Sequence, residues 1–143
     1  MKLREIMSES VLRIHPEESV AVAARALARY NIGMLAVCGG DGRLCGVVTD
    51  RDLVTRCIAA NRSPNATPVR EVMSSSVISA RPDMDAAAAA QLMARQQIRR
   101  LPVLENGRLC GMVSLGDLAS REETVPDATD ALTGISSNVS VRE

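Results

Sequence analysis

The chain has no phenylalanine and no tryptophan, and Tyr30 is the one aromatic residue among its 143. Single-stranded nucleic acid is held on aromatic stacking platforms, which this composition does not supply. Seventeen basic residues balance seventeen acidic ones, so a polyanion meets no electrostatic footprint. His15 is the sole histidine and sits beside Pro16, which leaves no Ser-His-Asp or Cys-His set. No Walker-type phosphate loop and no run of carboxylates at metal spacing is present either. Catalysis and a resident metal are therefore not expected.

Other absences set the environment. No apolar run approaches a membrane span, and Met1-Lys2-Leu3-Arg4-Glu5 lacks the apolar stretch of a signal peptide. The expected location is the cytoplasm, where thiols stay reduced. Cys38, Cys45, Cys57 and Cys110 form no CxxC pair; Cys45 and Cys110 fall at equivalent apolar strand positions and read as buried structural thiols. With 46% hydrophobic residues the chain can build a core, and that core must be aliphatic.

What the chain does have is repetition. Arg4-Glu5-Ile6-Met7-Ser8 returns as Arg70-Glu71-Val72-Met73-Ser74, and Gly42-Arg43-Leu44-Cys45-Gly46 returns as Gly107-Arg108-Leu109-Cys110-Gly111. Between and after these blocks Pro16 matches Pro82, Arg29 matches Arg95, Asp52 matches Asp117 and Arg56 matches Arg121. Two copies of about 60 residues indicate a pseudo-symmetric pair, since a solenoid needs shorter units and at least three of them. The division is 1–61 for the first copy, 62–68 for a linker with Pro64 and Pro68, 69–121 for the second copy and 122–143 for a tail.

Each copy reads strand, helix, strand, strand, helix, a mixed α/β unit. Val11 to Ile14 is a short strand; Ser19 caps a helix from Val20 to Tyr30 whose stripe is Val20, Ala24 and Leu27. The second helix is capped by Asp85 and buries Ala86, Ala90 and Met93; its small side chains suit close packing against another helix. Strands Leu35–Cys38 and Leu44–Val48 flank a glycine-rich turn, as Leu101–Leu104 and Leu109–Val113 flank Glu105-Asn106-Gly107. In the tail, Ala128 to Ile135 has material for a turn or two of helix, and the last residues are expected to fray. Met7 and Met73 read as hydrophobic anchors.

Chemistry is expected where strand runs into helix. Gly46-Val47-Val48-Thr49-Asp50-Arg51-Asp52 and Gly111-Met112-Val113-Ser114-Leu115-Gly116-Asp117 both place a hydroxyl at the helix start and a carboxylate three residues on. Free N–H groups at such a start receive a phosphate, and a carboxylate one turn later can accept a ribose diol. The same spacing is also that of a capping box, which would satisfy the helix and nothing else.

These junctions, the Arg-Glu-hydrophobic-Met opening and Arg99-Arg100-Leu101-Pro102-Val103 resemble the CBS domain, and the paired copies over roughly residues 2–121 resemble a Bateman module. The resemblance implies two β-α-β-β-α repeats packed about a pseudo-twofold axis with two ligand clefts. It implies an adenine nucleotide (AMP, ADP or ATP) or S-adenosylmethionine as regulatory ligand, not as catalytic cofactor. Carried over by motif, one cleft uses Thr49 and Asp52, completed by Ile98, Arg99 and Arg100 with backbone near Val77 and Ile78. The other uses Ser114 and Asp117, completed by Ile32, Gly33 and Met34 with backbone near Val11 and Leu12. Val47, Ile98 and Met112 would sandwich the adenine. The arginine pair implies that the Thr49/Asp52 cleft takes charged phosphates better. The resemblance further implies a homodimer formed through helices and an effector protein as recipient of the signal, with neither nucleic acid nor membrane as partner. A ligand-free dimerisation or docking module is the competing expectation.

Overall fold

The structure, a computed structural model, describes residues 1–139, with side-chain surroundings through residue 135. Two compact units emerge, and neither follows repeat order. Unit 2 is Leu12–Val77 with Gly107–Leu109; unit 1 gathers Met1–Val11, Ile78–Asn106 and the chain from Cys110 onward.

In unit 2, β1 (Arg13–Ile14) runs parallel to β2 (Met34–Cys38), which pairs antiparallel with β3 (Leu44–Thr49). The strand expected from Val11 is thus only two residues long. Helix α1 (Val20–Tyr30) has the expected bounds: Ser19 Oγ accepts the Val22 N–H at 3.2 Å, meeting one of the donors a helix start leaves open. It stops where Asn31 turns left-handed, φ 51°, a conformation asparagine tolerates. Its buried stripe is Val20, Ala23 and Leu27; Ala24, expected inside, is exposed. A short helix α2 (Asp50–Leu53) continues into a π-helical turn, Val54–Ile58. Leu35, Val37, Val48 and Cys57 are fully enclosed between sheet and helices.

Unit 1 holds α3 (Ala86–Gln96), β4 (Arg100–Glu105), β5 (Arg108–Ser114) from Cys110 onward, α4 (Leu115–Ala119) and α5 (Val125–Val139). Asn106 and Gly107, φ 54° and 79°, make the left-handed two-residue turn that matches strand twist between β4 and β5. Asp85 occupies the cap position of α3, but its side chain makes no capping bond; Met1's carbonyl instead takes the Ala86 N–H at 2.8 Å. The tail is far more helical than its sequence indicates. Thr129, Thr133 and Gly134 are poor helix formers, so α5 is held by what it covers: Ala128 and Ala131 are buried with Ala89, Ala90 and Met93 of α3. The fraying expected of residues 140–143 lies outside the described residues.

The repeated Arg-Glu-hydrophobic-Met-Ser segment is a strap. After a 3₁₀ turn at Leu3–Glu5, Ser8 pairs with Met112 of β5; after the turn at Val69–Glu71, Ser74 pairs with Val47 of β3. Leu3 and Val69 are completely buried beneath these straps, and Met7 and Met73 pack on the two cores. Cys38 and Cys57 are buried while Cys45 and Cys110, expected inside, are half-buried; all four are free thiols. Burial pushes the Cys38 and Cys110 thiols above their ordinary range. Among the described residues no helix is long and apolar enough to cross a membrane.

Candidate functional site

Both strand-to-helix corners are closed capping boxes. Thr49 Oγ1 accepts the Asp52 N–H at 3.1 Å and Asp52 Oδ2 accepts the Thr49 N–H at 3.0 Å. Ser114 Oγ accepts the Asp117 N–H at 3.1 Å and Asp117 Oδ2 accepts the Ser114 N–H at 2.7 Å. The free amides expected to meet a phosphate are therefore spoken for. Gly33's carbonyl also takes the Asp50 N–H at 3.2 Å and Arg99's carbonyl takes the Leu115 N–H at 2.9 Å. With α2 and α4 only four and five residues long, their dipoles add little.

These last two bonds set each corner beside a strand of its own unit. In unit 1, Arg99 lies against the Ser114/Asp117 corner of its own repeat, and the arginine pair opens the strand beside it. Ile98 precedes the pair. Ile78 lies on the same side of the unit, two residues before Ala80, which runs parallel to β4 through Val103. In unit 2, Met34 pairs with Thr49 and Gly33 bonds to Asp50, so Ile32, Gly33 and Met34 border the Thr49/Asp52 corner. Within each unit, then, the backbone of Arg99 adjoins the Ser114 corner, and that of Gly33 and Met34 adjoins the Thr49 corner. Val11 belongs to unit 1, and Leu12 and Val77 to unit 2.

The two corners are not alike. Asp52 is only 9% exposed, and its second oxygen, Oδ1, faces Arg56 Nη1 at 3.8 Å. The same nitrogen donates to the carbonyls of Val72 and Met73, both at 3.1 Å. Arg56 escaped sequence reasoning, although its four-residue spacing from Asp52 and its repetition as Arg121 were visible. Asp117 is half-buried, and among the described residues its Oδ1 has no partner. Arg99 and Arg100 are exposed, and among the described residues neither guanidinium makes a hydrogen bond or ion pair. The Ser114 corner therefore has an unpaired carboxylate oxygen, and the strand bonded to it through the Arg99 carbonyl opens with two exposed arginines.

The twin glycines have a structural cause. A β-carbon on Gly46 would stand 3.0 Å from Met73 Sδ, and one on Gly111 would stand 2.6 Å from Met7 Sδ. They admit the straps. Met112 and Val47, the residues paired with the straps, are half-buried.

Comparison with known proteins identifies the architecture. The CBS domain family model matches residues 3–58 and again 69–124. "CBS domain-containing protein YhcV" of Bacillus subtilis is 40% identical over 134 residues, covering 94% of each chain. "Hypoxic response protein 1" of Mycobacterium tuberculosis is 34% identical over 116 residues, 81% of each chain. A crystal structure of Hypoxic Response Protein I with two coordinated zinc ions superposes with TM-score 0.78 at 31% identity, covering 85% of this chain and 98% of that one. A solved CBS domain pair in complex with 5-methylthioadenosine and S-adenosyl-L-methionine superposes with TM-score 0.73 at 26% identity, over 84% and 94%. Among the described residues of this chain, no three His, Cys, Asp or Glu side chains gather to hold a metal.

Proposed function

The chain belongs to the CBS domain family, and from that premise we propose that it is a regulatory module binding an adenosine-containing ligand at its strand-to-helix corners. The Ser114 corner carries this reading. Arg99 and Arg100 would draw the phosphates as charge-assisted donors, the Ser114 hydroxyl would donate to one of them, and Asp117 Oδ1 would accept a ribose hydroxyl. Ile98 and Met112 offer aliphatic contact to the base. A neighbour solved with two adenosine-containing ligands supports the ligand class.

This reverses the expected preference. Asp52 is buried against Arg56, and its corner offers the single exposed Arg51 where the strand beside Ser114 opens on two arginines, so charged phosphates should favour Ser114/Asp117. Signalling would run by population shift: ligand favours one arrangement of the module, and a cytoplasmic effector protein reads it. No catalytic role is assigned. A homodimer would use a surface other than Ala86, Ala89 and Ala90, which are buried in one cluster with Ala128 and Ala131 of α5.

Calorimetric titration with AMP, ADP, ATP and S-adenosylmethionine tests the reading. Replacing Arg99 and Arg100 together by alanine should weaken the phosphorylated ligands at least about tenfold, from two lost charge-assisted bonds. Asp117→Asn should weaken all of the ligands, and Asp52→Asn should matter less. Absence of heat with every ligand would leave the second reading, a ligand-free interaction module, which the closed capping boxes favour.

A further inference from the structure

We propose that the cleft at the hairpin end of unit 1 binds a small aliphatic α-amino acid, its carboxylate on Arg4 and its ammonium on Glu105. The cleft encloses about 230 Å³ between the opening strap, the turn at 81–83 and the end of β4. It lies at the far end of β4 from Arg100, roughly 17 Å away at the rise of a strand, so it is separate from the Ser114 corner.

The charges of the cleft oppose one another without pairing off. Arg4 and Glu105 both line it, yet among the described residues neither side chain makes an ion pair or a hydrogen bond. Arg81 is engaged by Asp83, Nε to Oδ1 at 3.7 Å. A simple anion would meet Glu105 and Asp83, and a simple cation would meet Arg4 and Arg81. A zwitterion satisfies both signs, with charge-assisted bonds at each end. Buried Pro82 and half-buried Leu104 give its short aliphatic side chain an apolar wall, and Asn106 adds an amide.

The first repeat shows that this arrangement does not come with the fold. Arg4 corresponds to Arg70 and Asp83 to Glu17. On unit 2 the longer glutamate reaches its arginine, Arg70 Nε to Glu17 Oε1 at 2.8 Å. Asp83, one methylene shorter, pairs instead with Arg81, whose counterpart is His15. Gly39 and Gly40 stand where Glu105 and Asn106 do. The place on unit 2 is thus neutralised and bare at its hairpin, while that on unit 1 holds an arginine and a carboxylate apart. All of the charged groups are exposed, so each contact is weak and the expected affinity is about millimolar.

The test uses the full isotope-labelled chain without nucleotide, so its outcome is separate from that of the ligand reading. Titration with L-leucine should give saturable NMR shifts at the Arg4, Asp83, Leu104 and Asn106 amides, with Glu17 and Arg70 unmoved. Its deaminated analogue isocaproate and its decarboxylated analogue isoamylamine should each bind at least about fivefold more weakly. Arg4→Gln should weaken leucine by the same factor and leave isoamylamine unaffected; Glu105→Gln should weaken leucine and leave isocaproate unaffected. Both side chains are exposed, and an unchanged spectrum elsewhere would show that the fold of each variant is kept. Absence of saturable shifts would overturn the proposal. So would isocaproate or isoamylamine binding as tightly as leucine, or equal shifts at Glu17 and Arg70.

Discussion

Ser74 crosses Gly46 so closely that a β-carbon there would stand 2.5 Å from the Ser74 carbonyl oxygen. The contact is locked by two backbone bonds, Val47 N–H to Ser74 at 2.9 Å and Ser74 N–H to Val47 at 2.8 Å. On unit 1 the same crossing brings the Ser8 carbonyl 3.0 Å from the β-carbon position of Gly111.

Gly46→Ala therefore pushes on backbone, which cannot yield as a side chain can. A loss of about 1–3 kcal/mol is expected, read from urea unfolding. Gly111→Ala should cost less, since its nearest neighbour is the flexible end of Met7. Equal losses would show that strap position does not govern the effect.

Arg56 ties the Asp52 corner to the strap through the Val72 and Met73 carbonyls. Its side chain is half exposed, so water softens the loss, and Arg56→Ala should cost about 1 kcal/mol. Faster amide exchange at Met73 and Ser74, with Ser8 unchanged, would locate the damage in unit 2.

The Cys38 thiol, raised by burial, gives stability a pH dependence. The folded state disfavours the thiolate, so this contribution is intact below the unfolded thiol's value of about 8.5. It is lost as pH rises through the higher folded value. Between neutral pH and pH ~10, the native chain should lose more stability than Cys38→Ala in parallel urea titrations. Identical slopes would assign the loss to other groups.

Ala131 is 1% exposed beneath α5. Ala131→Asp would bury a charge among alanines and should cost about 2–3 kcal/mol. Release of α5 should appear as early proteolytic cleavage after residue 121 and as new binding of a hydrophobic dye. A variant as protease-resistant as the native chain would mean that α5 is held elsewhere.

The bounds of helix α1 were legible because its cap, Ser19, and its apolar periodicity are local, although the stripe was read one residue off, with Ala23 and not Ala24 buried. The tail was not, because Thr129, Thr133 and Gly134 argue locally against a helix that only the α3 surface makes favourable. Repetition located the corners, Thr49 with Asp52 and Ser114 with Asp117, and also exposed their ambiguity. The glycine that made the motif look ligand-related serves the strap instead. The grouping of Arg99 with Ser114 rests on one backbone bond to Leu115, and a contact of that kind leaves no trace in spacing. The difference between Asp52 and Asp117 was equally hidden, since both are followed four residues later by an arginine and only Arg56 turns back.

Leu3 N–H reaches the Met84 carbonyl at 2.9 Å and Arg4 N–H the Pro82 carbonyl at 3.0 Å, so the chain's opening residues are completed by residues some eighty positions later. A ribosome delivering this protein releases its first eleven residues long before their neighbours exist, and they must wait unstructured. Scission at the linker would give a front fragment with an orphaned beginning and a rear fragment with its Leu3 socket empty. Neither half of the chain can therefore complete unit 1 alone.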